Sequence, residues 1–239
     1  WAAGLCLAGL SLRGRDDADA FIADFAGDDR MVVDYLAAEV LEGQAPERRD
    51  FLLRTAVLGR LSGPLCDAVT GASGSARVLE ELERSNLFLV PLDNRRGGYR
   101  YHHLFGELLR HELTLARPGE VPGLHRAAAR WHLDAGNIDE AIHHSAAGGD
   151  LEGAADLIAE NWAGNERNGW TVTTEGWLAL LPPERVRSDP RLCMAEALIR
   201  INLGRPQEAG PWLDAAEAAM AAPGAPGDPE VMAGGLPPA

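Results

Sequence analysis

Apolar residues recur at three- and four-residue spacing along most of the chain, which predicts helix after helix. Trp1, Leu5, Ala8 and Leu12 share one stripe, and Gly14 closes that segment. Asp16 or Asp17 is placed to cap a second helix with Phe21, Ile22 and Phe25. Asp28 or Asp29 does so for a third, whose buried face is Val32, Val33, Leu36 and Val40. These three read as the end of a helical domain, residues 1–44. Pro46 then opens a helix with Phe51, Leu52, Leu53, Ala56 and Val57. A turn at Leu61, Ser62, Gly63 and Pro64 leads to a short helix with Leu65, Cys66, Ala68 and Val69. A third helix is expected from Ser75 to Asn86.

The period then changes. Leu87 to Leu92 is a β-branched and apolar run, Asp93 to Gly98 a polar turn, and Tyr99-Arg100-Tyr101 alternates with period two. Three short helices followed by a hairpin is the winged-helix order, here residues 45–117. Helical spacing resumes at Leu104 and runs to Leu115. Further helices are expected at Val121 to Ala135, Ile138 to Ala147 and Leu151 to Trp162, with Asn137 and Asp150 as caps. Ala135-Gly136-Asn137-Ile138-Asp139-Glu140-Ala141 resembles Leu203-Gly204-Arg205-Pro206-Gln207-Glu208-Ala209. Gly136 and Gly204 stand 68 positions apart, twice the tetratricopeptide period of about 34 residues. The unit expected between them, around Gly169 to Leu181, is degenerate. The fold class is therefore mainly α: a helical-domain end, a winged helix with a small β-hairpin, then TPR-like helical repeats over 118–221. Residues 222–239 form a Pro/Gly/Ala-rich linker or tail.

Composition sharpens this picture. The net charge is -14, and all 22 basic residues are arginine. Phosphate-gripping proteins are basic, at least locally. The third helix carries Glu80, Glu81 and Glu83 against Arg77 and Arg84. A packing role for this winged helix is thus favoured over direct DNA contact. Cys6, Cys66 and Cys193 form no C-x-x-C and read as small core residues of a reduced, cytoplasmic protein. No run approaches the roughly 20 apolar residues of a membrane span. The chain lacks an initiator methionine and opens within a helical pattern, so a longer parent protein is expected.

Candidate chemistry is sparse. Gly71-Ala72-Ser73-Gly74-Ser75 lacks the Gly-Lys-Ser/Thr end of a phosphate loop and reads as a turn. His144 and Glu140 form an i, i+4 pair beside His143 and Asp139, and His125 and His132 are seven apart. Structural zinc wants four ligands, so the first group reads as a solvated face and the second as half-buried packing. No G-x-S-x-G elbow is present, and no grouping argues for catalysis. His102 and His103 are different, because a strand hands over to a helix there. Helix amides and a histidine donor together suit an anion such as a phosphate. The alternative is that one histidine caps the helix and the other packs under the hairpin.

These segments together resemble a known family. F-L-L-R-T-A-V-L-x-R-L-S-G-P-L-C-D-A-V-T-G from Phe51, L-E-E-L-E-R-S-N-L-F-L-V-P-L-D from Leu79 and Y-R-Y-H-H-L-F-G-E-L-L-R from Tyr99 stand in order after the Phe21 to Leu41 segment. They are similar to large ATP-dependent LuxR-family transcriptional regulators of the MalT type, which are signal-transduction ATPases with numerous domains. The resemblance is close over residues 1–160 and looser, through L-P-P-E-R-V-R-S-D-P-R-L-C, to about residue 217. It implies a nucleotide-binding domain upstream, which would bind ATP or ADP, and a DNA-binding domain downstream. It implies an inducer, small molecule or protein, on the repeats, and self-association on activation. Tyr101-His102-His103-Leu104-Phe105 looks like the winged-helix Met-His-Asp motif of related ATPases. His102 then matches the histidine that reaches the β-phosphate of ADP, and His103 replaces the aspartate. The rival expectation is a helical-repeat scaffold for protein partners without nucleotide.

Overall fold

A computed structural model describes residues 41–221 other than 42, 86–87 and 94–96. The expected helices of residues 1–40, the hairpin tip with Arg95 and Arg96, and the tail 222–239 lie outside the described residues. The chain divides into two units that meet in sequence at Leu124 and His125.

The first unit opens with α1 (Pro46–Thr55), α2 (Gly63–Thr70) and α3 (Ser75–Arg84). Pro46 starts α1 where a missing amide costs nothing, and Ser62 caps α2 by accepting from Leu65 N at 3.4 Å. Asp67 on α2 accepts from Ser75 N at 2.9 Å and so fixes the start of α3. Hydrogen bonding from Ser75, through its hydroxyl first and then its amide, holds the Asp67 carboxyl below its ordinary range. The end of α3 comes two residues before the expected Asn86. Ser85 Oγ donates back to Glu81 O at 2.8 Å, which closes the last turn.

β1 (Leu89–Pro91) pairs antiparallel with β2 (Tyr99–Tyr101), with Leu89 opposite Tyr101 and Pro91 opposite Tyr99. Leu61 and Tyr99 exchange two further backbone bonds of 2.8 Å on the other edge of β2. β1 is shorter than the Leu87 to Leu92 run because Phe88 adopts φ 51, in the left-handed region, where no strand continues. α4 (His103–Ala116) follows β2 directly and buries Phe105, Leu108, Leu109 and Leu113. Facing them, Phe51, Leu52, Leu79, Leu82, Tyr99 and Tyr101 complete the core. Tyr101 Oη lies 2.7 Å from Thr55 Oγ1, which itself lies 2.7 Å from Phe51 O. The carbonyl only accepts, so the threonine donates to it and the tyrosine donates to the threonine.

Gly63 stands where α2 meets α3. A Cβ there would lie 2.8 Å from Ala76 Cβ and 3.1 Å from its Cα and N. Gly63→Ala therefore forces two backbones apart. A loss of about 1–2 kcal/mol is expected from overpacking, even after the gain in helix propensity. Urea unfolding of the variant checks this.

The second unit continues the helix that straddles the boundary, α5 (Val121–Asp134), with α6 (Ile138–Ala147), α7 (Leu151–Arg167), α8 (Thr171–Leu178), α9 (Pro183–Arg187) and α10 (Pro190–Asn202). A 3-10 turn, Pro206–Glu208, and α11 (Gly210–Ala221) close it. Contacts run from each helix to the next, α6 to α7, α7 to α8, α8 to α10 and α10 to α11, as in stacked repeats. The core is Ile142, Ala154, Ala155, Ile158, Trp177, Leu178, Leu181, Val186, Leu192, Ala195 and Ile199. Trp177 also donates to Asp139 Oδ1 at 2.6 Å, tying α8 to α6.

The two glycines of the repeated signature do the same work. Gly136 has φ 75 and Gly204 φ 74. After each, the next amide returns five residues: Asn137 N to His132 O and Arg205 N to Arg200 O, both 2.8 Å. This is the Schellman closure, which needs a left-handed residue and selects glycine. Between them, where the sequence signature degenerates, α8 is nonetheless formed. α7 outlasts the expected Trp162 because Gly164 does not break it. Its stop is the left-handed Gly169, with Trp170 N returning to Asn165 O at 2.9 Å. Asp150 caps α7 by accepting from Gly153 N at 3.0 Å, whereas Asn137 makes no side-chain cap for α6.

Candidate functional site

The alternation of β2 buries Tyr99 and Tyr101 and points Arg100 outward. The next residue, His102, has φ -57 and ψ 139 and stands at the N-cap of α4. Its amide donates to Phe88 O at 2.7 Å, and its carbonyl accepts the first helical bond from Gly106 N at 2.9 Å. The amides of His103, Leu104 and Phe105 come ahead of that bond, as at any helix start, and carry the positive end of the helix dipole.

The His102 ring makes no capping bond to α4, so it is not the cap that one sequence reading allowed. It is half-buried, stands edge-on to Phe88 at 6.4 Å between centroids, and lies 4.4 Å from the exposed His103 ring at a tilt of 34°. Burial, then the neighbouring His103 and Arg100 charges, pull its pKa below the ordinary histidine value. The shift favours the uncharged ring, which has one N–H to donate. A half-exposed imidazole, a helix N-terminus and the outward Arg100 are a donor set that suits a phosphate. No carboxylate occupies the stretch from Tyr99 to Phe105 to repel one.

Sequence reading missed Phe88. A bulky residue in the left-handed region costs roughly 1–2 kcal/mol, and such outliers collect at functional sites. Phe88 holds that conformation while its carbonyl takes the His102 amide and its ring meets Phe105 at 5.6 Å. An apolar residue next to a strand gives no sequence signal for positive φ.

The α3 carboxylates are largely paired. Glu80 takes Arg84 at 3.1 Å, Glu81 takes Arg77 at 3.1 Å and Arg48 at 3.6 Å, and Glu83 accepts from Tyr99 Oη at 3.3 Å. The arginines of that helix are therefore already engaged by its own acids. Cys66 and Cys193 are free and buried, and burial pushes the Cys66 thiol up to about 12. No helix among the described residues is long and apolar enough to cross a membrane.

The remaining histidines sort differently from their order in the chain. His143 is exposed, its Nδ1 2.9 Å from Asp139 O. His125, His132 and His144 come together across α5 and α6, with Glu140 beside them. Each pair was visible as a spacing on one helix, but only the packing of the two helices joins them.

Three helices, a hairpin and the bridging Leu61 define a winged-helix domain, followed by a run of stacked helices. Residues 37–121 match the model of the MalT winged helix domain, and the chain is a MalT-like fragment. It is 34% identical over 222 residues, 92% of its length, to the HTH-type transcriptional regulator MalT of Klebsiella pneumoniae. It is also 34% identical over 220 residues, again 92% of its length, to the serine/threonine-protein kinase PknK of Mycobacterium tuberculosis. The chain spans 25% of the first relative and 20% of the second.

Proposed function

We propose that the chain is the regulatory segment of an ATP-dependent LuxR-type transcriptional regulator. Its winged helix reads the nucleotide state of a domain upstream, and its helical repeats take an inducer. The observation that carries this reading is His102: a half-exposed imidazole, free of any capping role, at a helix N-terminus in a MalT-type winged helix. The match to both a kinase and a transcriptional regulator adds support. A segment common to proteins with such different outputs serves what they share, which is regulation.

In this reading ADP is held mainly by the upstream domain. His102 donates a ring N–H to a phosphate oxygen, and the α4 amides and Arg100 favour the negative charge. Phe88 and Phe105 fix the backbone that aims His102. DNA contact belongs to another domain, since α3 has its arginines tied to its own glutamates, and nucleotide hydrolysis is assigned to the domain upstream. Inducer on the repeats shifts the population from this locked form to an ATP-bound, self-associating one in the cytoplasm.

The test is His102→Ala in the full-length gene product. Reporter output without inducer is expected to rise, because the resting form has lost a latch. Unchanged output together with unchanged nucleotide content would favour a partner-binding scaffold instead.

A further inference from the structure

The second unit contains a cluster of polar side chains that the regulatory reading does not use. His132 on α5 and His144 on α6 are both more than nine-tenths buried. Their rings stack at 5.5 Å with an interplanar angle of 9°. Glu140 lies one turn before His144, with its Oε2 3.9 Å from His144 Nε2. One ligand atom from each of His132, Glu140 and His144 falls within 4.8 Å of the others. His132 Nδ1 is buried and has no hydrogen-bond partner among the described residues. A core histidine that only packs would satisfy that nitrogen, because an orphaned buried polar atom costs roughly 1–3 kcal/mol.

The fourth member, His125, stands behind the other three. Its Nδ1 lies 2.8 Å from His144 Nδ1, so one of these two nitrogens donates to the other. That bond occupies the far nitrogen of His144 and leaves Nε2 pointing toward Glu140. Metal-binding histidines are usually arranged this way, one nitrogen on the ion and the other held by a neighbour that fixes the ring.

We propose that His132, Glu140 and His144 form a site for a divalent cation of the zinc class, with His125 orienting His144. Two imidazoles and one carboxylate are the donor set of three-ligand zinc sites, which leave a fourth position for water or another ligand. Calcium and magnesium prefer all-oxygen shells, and imidazole nitrogen selects against them. A zinc tetrahedron with bonds of about 2.0–2.1 Å places its ligand atoms roughly 3.3 Å apart. The side chains here therefore close in by about an ångström on loading. A shared ion lies near the plane of each ring, so one of the two parallel rings also turns. All three ligands sit on the α5–α6 pair, which the ion would staple together. The proposal does not rest on the nucleotide reading.

Equilibrium dialysis of the whole chain, stripped of metal, against Zn2+ tests it. One equivalent is expected to bind with micromolar or tighter affinity, Mg2+ in excess should not displace it, and the melting temperature should rise. Glu140 is half-exposed, so Glu140→Gln keeps the fold; it should weaken binding at least tenfold. His132→Asn should abolish the stoichiometric site. His143→Ala, on the exposed neighbour, should leave binding unchanged. Binding no tighter than millimolar, or affinity equal in the wild type and Glu140→Gln, would overturn the site.

Discussion

Replacing Phe105 with alanine is expected to destabilise the winged helix by about 3–5 kcal/mol, the range for a large buried aromatic. The ring is fully buried and is the pivot of the first core. It meets Phe88 at 5.6 Å and stands edge-on to Tyr101 at 5.8 Å. Truncation leaves a cavity that neither α4 nor β2 can collapse into, because Tyr101 is held by Thr55 and the strand by Leu61 and Leu89. It also removes the packing that offsets the left-handed backbone of Phe88. Urea unfolding should show the loss, and hydrogen exchange should place it at α4 and the hairpin. A loss below about 1 kcal/mol would mean that the core is organised around something else.

The second large effect is expected at Asp189, in the other unit. Its side chain is only 7% exposed. It caps α10 by accepting from Arg191 N at 2.9 Å, takes Arg191 Nη2 at 2.8 Å, and has Arg185 Nη1 at 3.7 Å. Burial pushes its carboxyl up, but the Arg191 hydrogen bonds and the two arginine charges outweigh this and hold it below the ordinary carboxylate range. Asp189→Ala removes a cap and the more buried carboxylate from two half-buried guanidinium groups, leaving Arg185 with Glu152 at 2.8 Å and Arg191 with Asp156 at 3.0 Å. The expected loss is about 3 kcal/mol, or a fall in melting temperature of roughly 10 °C. The pH dependence follows from the direction of the shift. A depressed folded-state pKa adds stability that is present above the unfolded value of about 3.9 and is lost as pH falls through the folded value. The gap between wild type and variant should be full at pH 7 and shrink steadily below about pH 4. A gap independent of pH would mean that the negative charge of Asp189 contributes nothing, either to the cap or to the arginines.

Much of this architecture is legible in the residues because the local signals agree with one another. Pro46, Ser62 and Asp150 start helices through backbone chemistry that needs no tertiary context. Gly136 and Gly204 stop them for the same reason. Tyr99 and Tyr101 alternate because one face of β2 is buried. Other features depend on contacts between distant residues, and no local pattern encodes them. Phe88 is left-handed because Phe105 and His102 hold it there. α8 forms in the degenerate unit because Trp177 packs into a core shared with α7 and α10 and finds Asp139 on α6. His125 and His132 become neighbours of His144 only when α5 lies against α6. The junction at His102 was readable as a strand entering a helix. That the ring leaves the cap unmade was not, because a histidine at an N-cap position points either way.

The nucleotide reading rests on that ring. The most direct measurement is the rate at which ADP leaves the full-length protein, compared between wild type, His102→Ala and His103→Ala. One hydrogen bond to a charged group is worth about 1.5–3 kcal/mol, so release should be roughly 10- to 100-fold faster in His102→Ala. The exposed His103 should matter far less. Equal release rates for wild type and His102→Ala, with nucleotide still bound, would contradict the account.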